Sequence, residues 1–166
     1  MQKTLIGVAI VIVVAFGAWF LFINNKPSPA VTGNPIKIGA ILSQTGFAAS
    51  FGESAKNAVQ LAVEDINKSG GIDGRPVVVY YEDDHTDAKE AVSAFQKLTS
   101  IDHVDAIMGG LFDFAAQPLF PLADTNKIAF VSPDNFRIPN GFELTPNTFV
   151  TVDRATNQAQ PWAPPG

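Results

Sequence analysis

The chain has 166 residues, enough for one modest domain or a domain plus an anchor, and is 46% hydrophobic but only 16% charged, where about 25% charged is usual. Residues 1–35 hold two of the eleven Lys and Arg and none of the sixteen Asp and Glu. Residues 36–166 therefore carry nine bases against sixteen acids, a net charge of −7 there against −5 overall. An acidic domain with no basic run argues against nucleic acid as a partner. The absence of cysteine excludes a disulfide framework, a zinc–thiolate site, a cysteine nucleophile and a lipid-modified N-terminal cysteine.

From residue 5 to residue 23 every side chain is apolar or glycine. As a helix these nineteen residues measure about 28 Å, close to the thickness of a bilayer's hydrocarbon core. Trp19, Phe20 and Phe22 stand near the far end, where aromatic rings favour the membrane interface. Lys3 and the amino terminus precede the stretch, which predicts a signal anchor over 1–23 with its start in the cytoplasm and the rest of the chain exported. The competing reading is a cleaved signal peptide. Its apolar region is usually shorter, and the one small-x-small candidate, Ser28-Pro29-Ala30, has proline inside it. Residues 24–35, rich in Asn, Pro, Ser and Gly, read as a flexible tether.

Beyond the tether the period of the pattern changes. Residues 36–42 form a short apolar run with β-branched members, a buried strand. Ala55, Ala58, Val59, Ala62 and Ile66 then recur at helical spacing; Ser50 and Glu53 predict a capping box, and Gly70-Gly71 the end of that helix. A turn over 71–76 leads to a second strand at 77–81. A second helix is predicted from a capping box of Asp87 and Glu90, with Ala88, Ala91, Val92, Phe95 and Leu98 as its apolar stripe. Strands follow at 104–108 and 128–131, separated by a helix over 114–123 that contains Pro118. Residues 148–152 read as a fifth strand and 158–163 as the start of a helix.

Strands alternating with helices imply a parallel α/β sheet with helices on both faces, a three-layer αβα arrangement. Ligands of such sheets bind beyond the C-terminal ends of the strands, at the switch in strand order. The loops there are 43–50, 82–86, 109–113 and 132–136.

These loops carry a family pattern. The opening Ile36-Lys37-Ile38-Gly39-Ala40-Ile41-Leu42-Ser43 with Gly46 and Phe51-Gly52, the run AVEDINKSGGIDGRP over 62–76, the block Glu82-Asp83-Asp84 followed by Asp87-Ala88-Lys89-Glu90-Ala91-Val92, and Gly109-Gly110-Leu111 with Gln117-Pro118 and Ser132-Pro133 occur in order. Together they resemble the leucine/isoleucine/valine-type substrate-binding proteins, type I periplasmic binding proteins that feed ABC importers. The resemblance runs from residue 36 to about 163. It implies a Rossmann-like half of the first of two lobes, so the domain reads as truncated. It also implies a role: extracytoplasmic capture of a small polar ligand, an amino acid or amide, for a membrane-embedded ABC permease. A ligand-binding module of a receptor, or a fragment without function, are the other readings.

By the same resemblance Phe51 falls where the family sets an aromatic side chain against the ligand. The stretch 110–116 matches the loop that offers amides and hydroxyls to an amino acid's carboxylate, with Leu111, Phe112 and Asp113 as candidates. No hydroxyl is present there, and Asp113 would repel a carboxylate. Either the ligand is cationic, an amide or aromatic, with Phe112 and Phe114 as stacking surfaces, or Asp113 turns outward. Asn135 and Phe136 are expected to contact the ligand from the loop after the fourth strand. For each phenylalanine the plain alternative is core packing, and for Pro133-Asp134-Asn135 a turn. Glu82, Asp83, Asp84, His85 and Asp87 have donors that suit a metal, but read better as a helix cap and a solvated strand end. His103 reads as exposed. No nucleotide-binding glycine motif, no nucleophile elbow and no catalytic triad is present, which leaves no enzyme, cofactor or metal in the reading.

Overall fold

A computed structural model describes residues 16, 17, 19, 31–133 and 146–151. The chain divides into two compact units, residues 1–30 and 31–166. In the first, Phe16, Gly17 and Trp19 are helical. The rest of the apolar stretch 5–23 lies outside the described residues. Among those described, no helix is long and apolar enough to cross a membrane.

The second unit is built on a five-stranded parallel sheet. Strand β1 (Ile36–Leu42) is followed by α1 (Ala49–Lys68), β2 (Val77–Asp83) and α2 (Ala88–Lys97), which runs into a π-helical turn, Leu98–Asp102. Then come β3 (Ala106–Gly109), two short helices, α3 (Asp113–Ala116) and α4 (Leu119–Thr125), β4 (Ala129–Ser132) and β5 (Thr148–Val150). The strand order is β2-β1-β3-β4-β5, and every neighbouring pair is parallel. Strand β1 is an inner strand: Gly39 pairs with Tyr80 on one side and Ile107 on the other.

Helices lie on both faces. On one, Ile41, Ile107 and Phe130 meet Ala91, Ala94, Phe95, Leu98, Leu119 and Phe120 in one apolar core. The rings of Phe120 and Phe130 are 5.8 Å apart. On the other face α1 packs over β1 and β2, and Asn67 near its end exchanges two 2.8 Å hydrogen bonds with the backbone of Val77. Residues 31–35 run along the turn after α1: Thr32 and Gly33 N–H donate to the Gly74 carbonyl at 3.1 Å, and the Arg75 guanidinium donates to the Asn34 carbonyl at 2.8 Å.

Three local expectations are corrected. Helix α1 begins at Ala49, its N-cap position is Ala48, and no side chain caps it. The expected box of Ser50 and Glu53 is not used; tertiary packing sets the start. Gly52 rests on the end of β1 so closely that a Cβ there would lie 1.9 Å from the Ser43 carbonyl oxygen. The single helix expected over 114–123 is two, because Pro118 cannot donate and instead opens α4 from its N-cap position. Strand β2 runs on to Asp83 rather than stopping at Tyr81. Residues 158–163 lie outside the described residues.

The expected cap at Asp87 is present: its carboxylate accepts from Lys89 N–H at 2.8 Å and Glu90 N–H at 3.2 Å. Asp87→Ala is therefore expected to cost about 1 kcal/mol in urea unfolding. Ser50→Ala, at the unused capping motif, is expected to change stability by less than about 0.5 kcal/mol.

Candidate functional site

The order β2-β1-β3 means that the chain leaves β1 toward one edge of the sheet and returns to place β3 on its other side. Such a switch in strand order, at the C-terminal end of the strands where the loops after β1 and β3 leave the sheet, is where ligands of doubly wound sheets bind. Four phenylalanines meet there. Phe47 comes from the loop after β1, Phe51 from the first turn of α1, Phe112 from the loop after β3 and Phe114 from α3. Phe112 and Phe114 stack, with ring centroids 5.7 Å apart and planes 11° apart. Phe51 stands edge-on to Phe112 at 6.0 Å and 84°. Phe47 lies 6.2 Å from Phe112 and 6.4 Å from Phe114.

These rings do not belong to the core. Phe47 is 80% exposed, Phe51 64% and Phe114 38%, while Phe95, Phe120 and Phe130 are fully buried. The core alternative is thus overturned for Phe51 and Phe114, and Phe112 is half-buried beneath its partners. Leu111, beside it, is half-buried as well. Asp113 is exposed, and its Oδ1 accepts the Phe114 N–H at 2.8 Å. Asn135 and Phe136 lie outside the described residues. Phe47 carried no family match and was not singled out from the sequence; its signal was a lone aromatic in a loop of small and polar residues at a strand's C-terminal end.

The acidic block after β2 does a different job. Glu82 pairs with Lys97 of α2. Asp83 accepts from Gln44 N–H at 2.8 Å, Thr45 N–H at 3.2 Å, Thr45 Oγ1 at 2.7 Å and His85 N–H at 2.9 Å. His85 Nδ1 is 3.2 Å from Asp83 Oδ2 and 2.6 Å from Thr45 Oγ1. Asp84 is fully buried, where a solvated strand end was expected; its Oδ1 accepts Thr86 N–H at 2.8 Å. Thr86 in turn donates its hydroxyl to the Thr45 carbonyl at 2.8 Å. The block thus clamps the loop that carries Phe47 onto the end of β2. Gly46 completes the clamp: its φ is +84°, and a Cβ would lie 2.5 Å from Thr86 Oγ1. His103 is exposed, as expected.

Burial pushes the Asp83 carboxyl up, but the hydrogen bonds from Thr45, His85 and Gln44 outweigh it and hold the group below its ordinary value. A carboxyl depressed in the folded state contributes stability above its unfolded value, near pH 4, and loses it as pH falls through the folded value. Asp83→Asn is expected to destabilise the protein by about 1–3 kcal/mol at pH 7. The gap to the parent should close on acidification below about pH 4, as read by urea unfolding at a series of pH values.

The model of the periplasmic binding protein family matches residues 35–164. Leu/Ile/Val-binding protein homolog 3 of Brucella melitensis is 34% identical over 129 residues, covering 75% of this chain and 34% of that protein. The branched-chain amino acid transporter substrate binding protein of Streptococcus pneumoniae, solved with isoleucine, superposes with a TM-score of 0.67 at 27% identity over 73% of this chain and 34% of that one. A solute binding protein of an ABC transporter from Rhodopseudomonas palustris, solved with 3,4-dihydroxy benzoic acid, gives a TM-score of 0.57 at 26% identity over 61% and 28%. The chain spans 26–34% of the length of the curated relatives it matches. By this match the chain belongs to the periplasmic binding protein family, a family of binding proteins rather than enzymes.

Proposed function

We propose that this chain supplies a membrane-tethered, extracytoplasmic solute-binding lobe to an ABC importer, and that its solute is an amino acid or a related small polar molecule such as an amide. The observation that carries this reading is the exposed cluster of Phe47, Phe51, Phe112 and Phe114 at the switch in strand order. Exposed aromatic rings gathered on one patch leave apolar area for a ligand to cover. The names of the relatives support the solute class: leucine, isoleucine and valine for curated proteins, isoleucine and a dihydroxybenzoic acid for solved ones.

In this reading Phe51, Phe112 and Leu111 form the apolar wall, Asp113 sets the charge at its rim, and Asn135 and Phe136 complete the site from the loop after β4. No bond is made or broken. The ligand is held by loss of water from its own surface and from the rings, and a second lobe closing from the far side supplies the remaining contacts. The closed form is what an ABC permease would receive. Residues 5–23 anchor the lobe, with Lys3 on the cytoplasmic side, and residues beyond 23 lie outside the cytoplasm.

Titration of the full chain in detergent micelles with amino acids and primary amides tests the capture step. Dissociation constants in the millimolar range, roughly −4 kcal/mol, are expected, because the ligand is covered from one side only. Micromolar binding would contradict the need for a second wall, and no response to any compound would contradict solute capture. Alkaline phosphatase fused after Gly166 should be active in cells; an inactive fusion would contradict the orientation.

A further inference from the structure

We infer that the solute of this site carries an aromatic ring and that its polar end is neutral or cationic; this rests on the reading of the switch-point cluster as the ligand site. Two independent features point there. The first is ring geometry. The stacked pair Phe112 and Phe114, the edge-on Phe51 and the tilted Phe47 are spaced at 5.7 to 6.4 Å, the separations at which aromatic rings attract one another beyond the burial of area. The cluster is unfinished as an aromatic packing unit, since Phe47 and Phe114 remain exposed. A further ring, stacked or edge-on, continues that packing, whereas an aliphatic chain gains only area.

The second feature is charge. The loop after β3, residues 110–116, offers no hydroxyl to an anionic head group, and the charge it adds between Phe112 and Phe114 is the exposed carboxylate of Asp113. Lys56 of α1 is engaged elsewhere: its Nζ donates to Gln44 Oε1 at 2.7 Å and lies 5.3 Å over the Tyr81 ring. Asp83 is saturated by its loop clamp. A carboxylate brought to this loop would find no hydroxyl on it and only the negative charge of Asp113, while an ammonium would meet the negative faces of the rings.

The test is saturation-transfer NMR on the full chain in micelles, scored against empty micelles, with phenethylamine, benzamide, benzoate and L-leucine. Phenethylamine and benzamide are expected to receive saturation at their ring protons and to compete with each other. Benzoate and L-leucine should bind at least about fivefold more weakly. Phe47→Ala and Phe114→Ala should each weaken phenethylamine by about two- to tenfold, Phe47→Ala with the thermal transition unchanged, since that ring is 80% exposed, and Phe114→Ala with a small drop that leaves the transition cooperative. Asp113→Asn should narrow the gap between benzoate and benzamide. L-leucine binding as tightly as phenethylamine, unaffected by the phenylalanine variants, would overturn the ring preference and leave solute capture standing. No binding of any probe by a chain with a native thermal transition would overturn both. Concentration-dependent self-association that Phe47→Ala abolishes, with no probe competing, would overturn the proposal by assigning the rings to a second copy of the chain.

Discussion

Parallel pairing of β1 with β2 on one side and β3 on the other is the constraint from which the rest follows. It buries Ala40, Ile41 and Leu42 within the sheet. It also sends the chain out at the same end of every strand, so the loops after β1 and β3 leave the sheet side by side. Residues far apart in sequence, Phe47 and Phe51 against Phe112 and Phe114, are neighbours for this reason alone. The clamp at Asp83 then fixes the nearer wall: it ties the Phe47 loop to the end of β2 through three hydrogen bonds, and Thr86, itself held by Asp84, adds a fourth to the Thr45 carbonyl.

Phenylalanine serves two ends in this molecule. Phe95, Phe120 and Phe130 are fully withdrawn from water in the core against α2 and α4, each worth about 1.5–3 kcal/mol of burial. Phe47, Phe51 and Phe114 forgo much of that gain in the described unit. A sequence selected for folding alone has little reason to gather exposed rings at one end of a sheet. What folding leaves unused there is available to whatever covers the rings. In the proposed reading the neighbouring Asp113 biases that occupant by charge.

Much of this was legible in the sequence. Strand β1 could be bounded to the residue, because an apolar run lies between Pro35 and Ser43. The cap at Asp87 was legible because the capping interaction is local. The four-block pattern gave the family and the order of elements. What local reasoning missed was decided by contacts across the fold. Ser50 and Glu53 have the spacing of a capping box, but the approach of Gly52 to Ser43 sets where α1 begins. Asp84 sits in an acidic run that reads as solvated, yet it is buried as an acceptor for Thr86. Phe51, Phe112 and Asp113 were candidates by family pattern, whereas Phe47 becomes visible only when the strand order brings the two loops together.

The account is tested most directly by watching the rings themselves. In a full chain labelled with carbon-13 in its phenylalanine rings, saturating phenethylamine should move the signals of Phe47, Phe51, Phe112 and Phe114 and leave those of Phe95, Phe120 and Phe130 in place. Movement confined to the core rings, or no movement of the four at saturation, would contradict the placement of the ligand at the switch between β1 and β3.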